Sequence, residues 1–274
     1  MMLHPLPPKL RELDLSGMVL TLDVRATQAS DSHLTPLEFL ALLLDDELER
    51  RNQRRRARRF AESGCDEQKT LATFDFAAAP GINRSLIQDL ATCAFVARHD
   101  NILLCGPTGV GKSHLANALA CEAIKRDYRV LSRSLPHLLA DLHAARATGA
   151  YNRLWAKLVT CDLLVLDDFG LQTLTPQAAQ DLYEIVSERY EHRSLILTSN
   201  RALTEWAEVF SNDLLASAAL DRLTHHAHTL VIQGNSYRQR SRRKEALGTQ
   251  TALPEAHPAL EPGPLYRPSG APSS

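Results

Sequence analysis

The sequence predicts an α/β fold, a parallel five-stranded sheet with helices on both faces, preceded by a small helical N-terminal domain. Five short apolar runs carry the sheet: residues 101 to 105, 129 to 133, 162 to 166, 194 to 198 and 228 to 232. They alternate with helix-like stretches, the pattern of crossover units that build a parallel sheet covered on both sides. A glycine-rich octapeptide stands between the first run and the helix-like segment 114 to 126. A phosphate-binding loop requires that placement.

Composition sets the outer bounds. The 274 residues suffice for one full α/β domain and a small appendage. With 31 Lys and Arg against 32 Asp and Glu, a uniformly basic protein and an acidic disordered one are both excluded. Aromatic residues make up only 5%, too few for a base-stacking platform to be a good first reading. The five cysteines, Cys65, Cys93, Cys105, Cys121 and Cys161, include no CxxC pair and read as reduced thiols of a cytosolic protein. No apolar run has the length of a signal core or a membrane span, so a cytoplasmic location with no membrane partner is expected.

Residues 1–69 form the helical N-terminal part. Thr35, Pro36 and Glu38 supply an N-cap, a first-turn proline and the third member of a capping box, with Leu34 and Phe39 placed as a hydrophobic staple. Leu37, Leu40, Leu44 and Leu48 follow at spacings of three and four, which predicts a buried stripe. Nothing breaks the helix before Ser63 and Gly64, so it continues through seven arginines between residues 50 and 59. Residues 70–245 hold the sheet and its helices. The tail, residues 246–274, has six prolines and three glycines and reads as disordered.

The octapeptide is Gly106, Pro107, Thr108, Gly109, Val110, Gly111, Lys112 and Ser113, a complete GxxxxGK[ST], with His114 directly after it. Its backbone N–H groups and the following helix N-terminus suit a nucleoside triphosphate such as ATP, Lys112 reaches the β and γ phosphates, and Ser113 can ligate Mg²⁺. Some fifty residues on, an apolar strand ends in Asp167 and Asp168. The first can hold the metal and the second polarise a water, although a strand-end Asp also serves as a helix cap. Asn200 stands at the mouth of another strand, where it either contacts the γ phosphate and water or caps a turn. Arg222 beside Asp221 reads on its own as a surface ion pair. His225, His226 and His228 lack matching Cys or acid spacing and read as ordinary polar residues.

Together GPTGVGKSHLA, LLVLDDFG, ILTSN, ALDRL and GNSYR, in this order and approximate spacing, resemble the IstB-like ATPases, AAA+ helper proteins of insertion-sequence transposition related to DnaC-type helicase loaders. The likeness covers roughly residues 5 to 245. It implies a P-loop AAA+ fold in which Lys112 and Ser113 form the Walker A pair, Asp167 is the Walker B metal ligand, Asp168 the catalytic acid and Asn200 sensor 1. It further implies that Arg222 is an arginine finger toward a neighbouring subunit, and that Arg238 reads nucleotide state. Most AAA+ proteins carry Asp-Glu where this chain has Asp-Asp, a departure that bears on the water-activating step.

Two basic clusters remain. Arg50, Arg51, Arg54, Arg55, Arg58 and Arg59 fall within about half the helix circumference, and Arg238, Arg240, Arg242, Arg243 and Lys244 form the second run. Setting aside these and Arg56, twelve residues in all, takes the 31 basic residues to 19 against 32 acidic, so the near-neutral sum conceals a strong segregation. The first cluster reads either as a DNA-facing surface or as a solvated face paired with Asp45, Asp46, Glu47 and Glu49. With the resemblance, the expectation is an ATPase that uses ATP and Mg²⁺, forms a homo-oligomer on double-stranded DNA with little sequence preference, and assists a transposase in selecting target DNA. A DnaC-like loader of a replicative helicase is the alternative.

Overall fold

The structure, a computed structural model, describes residues 6–234. Arg238, the basic run after it and the proline-rich tail lie outside these residues. Helices α1 (Leu6–Glu12), α2 (Ser16–Asp31) and α3 (Pro36–Ser63) come first. At the start of α3 the capping box forms: the Thr35 hydroxyl accepts from the Glu38 backbone N–H (3.3 Å) while the Glu38 carboxylate accepts from that of Thr35 (2.8 Å). The helix then runs 28 residues to a left-handed cap at Gly64.

The leucine stripe of α3 is not buried. Leu37, Leu40, Leu44 and Leu48 are 78%, 48%, 46% and 57% exposed. The face that packs against α2 is carried instead by Phe39, Leu43 and Glu47, with Met18 and Leu22 opposite. This face is offset from the stripe by one residue, about 100° around the helix. Hydrogen bonds select it. Gly17 brings α2 so close that a Cβ there would lie 2.7 Å from the Glu47 Cα, and its N–H donates to the buried Glu47 carboxylate at 2.6 Å. Arg25 grips Asp46 with two bonds, of 2.7 and 2.8 Å. A leucine in either acidic position would leave the α2 N-terminus or Arg25 without that partner.

The remaining elements are α4 (Arg84–Ala91), α5 (Ala94–Arg98), β1 (Asn101–Cys105), α6 (Lys112–Lys125), β2 (Val130–Ser134), α7 (Leu135–Thr148), α8 (Tyr151–Thr160) and β3 (Leu163–Phe169). They continue through α9 (Pro176–Arg189), β4 (Ser194–Ser199), a 3-10 helix (Leu203–Val209), α10 (Asp213–Thr224) and β5 (Ala227–Val231). The strands form one sheet in the order β2-β3-β4-β1-β5, with every pairing parallel. Strands β1 and β4 are buried along their whole length, as expected of uninterrupted apolar runs at the centre of a parallel sheet. Two apolar layers flank the sheet, one including Phe95, Leu115, Leu119 and Ile124, the other Leu138, Leu182, Trp206 and Leu223. The C-terminal ends of β1, β3 and β4 therefore lie side by side; the phosphate loop follows β1, Asn200 follows β4, and the paired acids lie in the last residues of β3.

All five cysteines are free, and four are buried. Burial pushes the Cys121 thiol up to about 12 and that of Cys93 to about 11. Among the described residues no helix is long and apolar enough to cross a membrane.

Candidate nucleotide site

The phosphate loop leaves β1 at Gly106, whose φ of 145° no side chain adopts readily and where a Cβ would lie 2.1 Å from the Ile232 carbonyl oxygen. It enters α6 through Gly111 in a left-handed conformation. Pro107, Thr108, Gly109 and Val110 thus curl between a strand end and a helix N-terminus, where helix geometry leaves the first N–H groups without intrahelical partners.

Lys112 is 5% exposed, and its ammonium donates to the carbonyls of Gly106 (2.7 Å) and Pro107 (2.8 Å) and to Asn200 Oδ1 (2.6 Å). Burial lowers its pKa, while Asp167 and Asp168 act in the opposite sense and favour the charged form. The structure therefore brings together Lys112 and Asn200, 88 residues apart.

A second convergence lies on Asp167. Its Oδ1 accepts from the Ser113 hydroxyl at 2.8 Å and from the Thr198 hydroxyl. The Thr198 oxygen in turn accepts the Asp168 backbone N–H at 3.1 Å. This chain of bonds sits on a bulge. Leu166 pairs with Leu197 but Phe169 with Ser199, so β3 carries one extra residue between them, and Asp168 has a φ of 63°. Buried Thr198 is thus the peg that holds both acids in place, a role the sequence analysis did not assign. Its only signal was a hydroxyl directly after the apolar run Leu195 to Leu197. Ser199 makes a similar tie by donating to the Phe169 carbonyl at 2.8 Å.

The residues fit a divalent cation and a triphosphate. Ser113 Oγ and Asp167 Oδ1 stand at about the 2.9 Å spacing of adjacent oxygen ligands on an octahedral ion with 2.0–2.1 Å bonds. A small cavity of about 170 Å³ opens beside them, lined also by Asp66, Lys69, Asn117 and Ser132. Asn117, on α6, accepts from the Asp66 N–H and donates to the carbonyls of Asp66 and Lys69. That ties the segment after α3 to the helix of the phosphate loop, a second link that linear patterning did not reveal. His114 turns to the same segment. Its ring bonds the Thr70 carbonyl at 2.9 Å and meets Phe74 edge-on, so its contacts hold residues 70 to 74 against the loop.

Arg222 stands apart from these groups. Its guanidinium donates to the Ala218 carbonyl (2.8 Å) and lies 5.4 and 5.9 Å from the rings of Tyr183 and Tyr190, with no ion pair to Asp221 among those the described residues form. The arginine cluster of α3 divides. Arg50 donates to Ser16, Arg51 to Glu47 and Arg59 to Asp127, whereas Arg51, Arg54, Arg55 and Arg58 together line a shallow recess. Of the acids weighed as partners, Glu47 takes Arg51 but Asp46 takes Arg25. His228 lies 3.5 Å from Asp100. His225 and His226 are joined in space by an acid that sequence spacing did not indicate, Glu191.

Residues 8–245 match the family described as IstB-like ATP binding protein. The chain is 37% identical over 252 residues to the ATP-binding protein of insertion sequence IS21 from Pseudomonas aeruginosa, covering 92% of this chain and 95% of that protein. It is 38% identical to an insertion-sequence ATP-binding protein of Sinorhizobium fredii, covering 89% of this chain and all of the relative. Among solved structures, the DnaC helicase loader superposes with a TM-score of 0.50 at 21% identity, over 61% of this chain and 98% of that one. That likeness is one of fold.

Proposed function

The chain belongs to the IstB-like ATP-binding proteins, P-loop ATPases of AAA+ architecture, and from that premise we propose that it works as an oligomer on double-stranded DNA, helping the transposase of its element to select target DNA. The observation that supports the ATPase chemistry best is the convergence of Ser113 and Thr198 on Asp167 beside the Lys112–Asn200 contact. The relatives, named as ATP-binding proteins of insertion sequences, support the role in transposition.

In this reading Lys112 exchanges the Gly106 and Pro107 carbonyls for the β and γ phosphates of ATP, and Asn200 steadies it. Ser113 and Asp167 hold Mg²⁺, which when bound neutralises charge on the phosphate oxygens. Asp168, fixed by the bulge, orients the attacking water and accepts its proton. Arg222 from a neighbouring subunit adds positive charge as the γ phosphoryl group leaves. Catalysis comes mainly from electrostatic positioning. The recess formed by Arg51, Arg54, Arg55 and Arg58 takes DNA phosphates, without reading bases.

ATP turnover measured with and without duplex DNA, at low and high salt, tests both halves of the proposal. We expect stimulation by duplex that fades steeply as salt rises, and no ATP binding by Lys112→Ala. Undiminished ATP affinity in that variant would overturn the site, and turnover indifferent to duplex at low salt would overturn the DNA reading. Co-purification with a replicative helicase in place of the transposase would transfer the chain to helicase loading.

A further inference from the structure

We propose that Glu191, His225 and His226 form a zinc site at the edge of the sheet farthest in sequence from the phosphate loop's own helix. One carboxylate oxygen and one nitrogen from each ring all lie within 4.8 Å of one another. Two neutral imidazoles and a carboxylate are a donor set suited to Zn²⁺, which commonly takes three protein ligands and a water. Tetrahedral coordination with bonds of 2.0–2.1 Å places ligand atoms about 3.4 Å apart. All three side chains are exposed and can close that gap by rotating.

The backbone that carries them is anchored on both sides. Glu191 follows α9, whose last residue, Arg189, is fully buried and donates to the carbonyls of Leu158, Cys161 and Ser194. His226 immediately precedes β5, and its carbonyl accepts from the Asn101 N–H at 3.0 Å. The ring centroids of His225 and His226 are 3.9 Å apart. The Tyr190 hydroxyl is 2.8 Å from His225 Nδ1, so Nε2 is the nitrogen left for the metal, and the hydroxyl orients the ring as partners of metal-bound histidines do. Bound zinc would fasten the end of α9 to the end of α10. Tyr190 and Arg222 lie on those same ends, which gives the site a means of restraining Arg222. Zinc binding itself requires neither ATP nor the trans role of Arg222, so it stands or falls separately from the function proposed above.

The test is titration of the full chain, free of nucleotide, with zinc chloride in a calorimeter, supported by the absorption spectrum of the cobalt-loaded protein. One ion per chain is expected, with affinity at least tenfold weaker in His226→Ala and in Glu191→Gln and unchanged in His228→Ala. Circular dichroism of the metal-free variants checks that each is folded. Should His226→Ala not fold, Glu191→Gln, which alters one exposed side chain, carries the test. No saturable binding up to 100 μM zinc, or wild-type affinity in the folded variants, overturns the site.

Discussion

Thr198 shows how much of the candidate site rests on one buried hydroxyl. Its hydroxyl donates to Asp167 and accepts from the Asp168 N–H, and valine, of the same shape, removes both bonds at once. We expect Thr198→Val to cost about 1–3 kcal/mol in stability, because the Asp168 N–H loses a buried partner. It should also lower kcat at least tenfold with ATP affinity nearly unchanged, and Thr198→Ser should restore it. Stopped-flow nucleotide binding alongside steady-state turnover separates these effects. Equal losses in affinity and kcat would mean that Thr198 only supports the fold. Asp167 and Asp168 were legible as candidates because two acids close an apolar run. Thr198 was not, because its importance lies in the pairing of β3 with β4, which brings together residues 31 apart.

At the scale of elements, α2 and α3 show two helical stripes competing for one partner. Both have the same periodicity, and the more hydrophobic stripe stays exposed. Leu43→Ala should therefore destabilise the chain by about 2–4 kcal/mol, whereas Leu40→Ala should cost under about 1 kcal/mol. Chemical denaturation of both variants measures the contrast, and equal losses would return the packing to the leucine stripe. The Arg25–Asp46 pair gives a pH signature. Hydrogen bonds from Arg25 hold the Asp46 carboxyl down at about 2, from an ordinary 3.8. A carboxyl depressed in the folded state contributes stability above its unfolded pKa and loses it as pH falls through the folded one. The loss therefore belongs between about pH 4 and 2. With Arg25 and Asp46 29% and 16% exposed, the contribution is about 1 kcal/mol. Melting temperatures of wild type and Asp46→Asn should differ at pH 6 and converge toward pH 2. A constant difference across that range would remove the pair from the account.

The whole molecule separates two positive features that the sequence shows only as arginines. The α3 cluster is partly spent on the protein, through Ser16, Glu47 and Asp127, and partly turned toward a recess. Arg222 rests on Tyr183 and Tyr190, with its guanidinium bonded to its own helix. For a finger that acts across an interface, Arg222→Ala should bind ATP normally and lose at least a hundredfold in turnover. Mixing it with Asp168→Asn, also inactive, should recover activity, since sites that join an intact Asp168 to an intact Arg222 form at mixed interfaces. Full activity of Arg222→Ala alone would remove the finger from the mechanism.

By itself the sequence determined the alternation of strands and helices, the phosphate loop, the acids at a strand end and the capping box of α3. Each of these is a local pattern: a run of apolar residues, a fixed spacing of glycines, a hydroxyl three residues before a glutamate. Only the tertiary structure decided which stripe of α3 is buried, that Thr198 pins both acids, that Asn200 meets Lys112, and that Glu191 joins His225 and His226. These outcomes depend on partners 21 or more residues distant. The strand order β2-β3-β4-β1-β5 sets which strand ends become neighbours, and the hydrogen bonds of Glu47 and Asp46 outweigh a leucine periodicity that offers no competing partner.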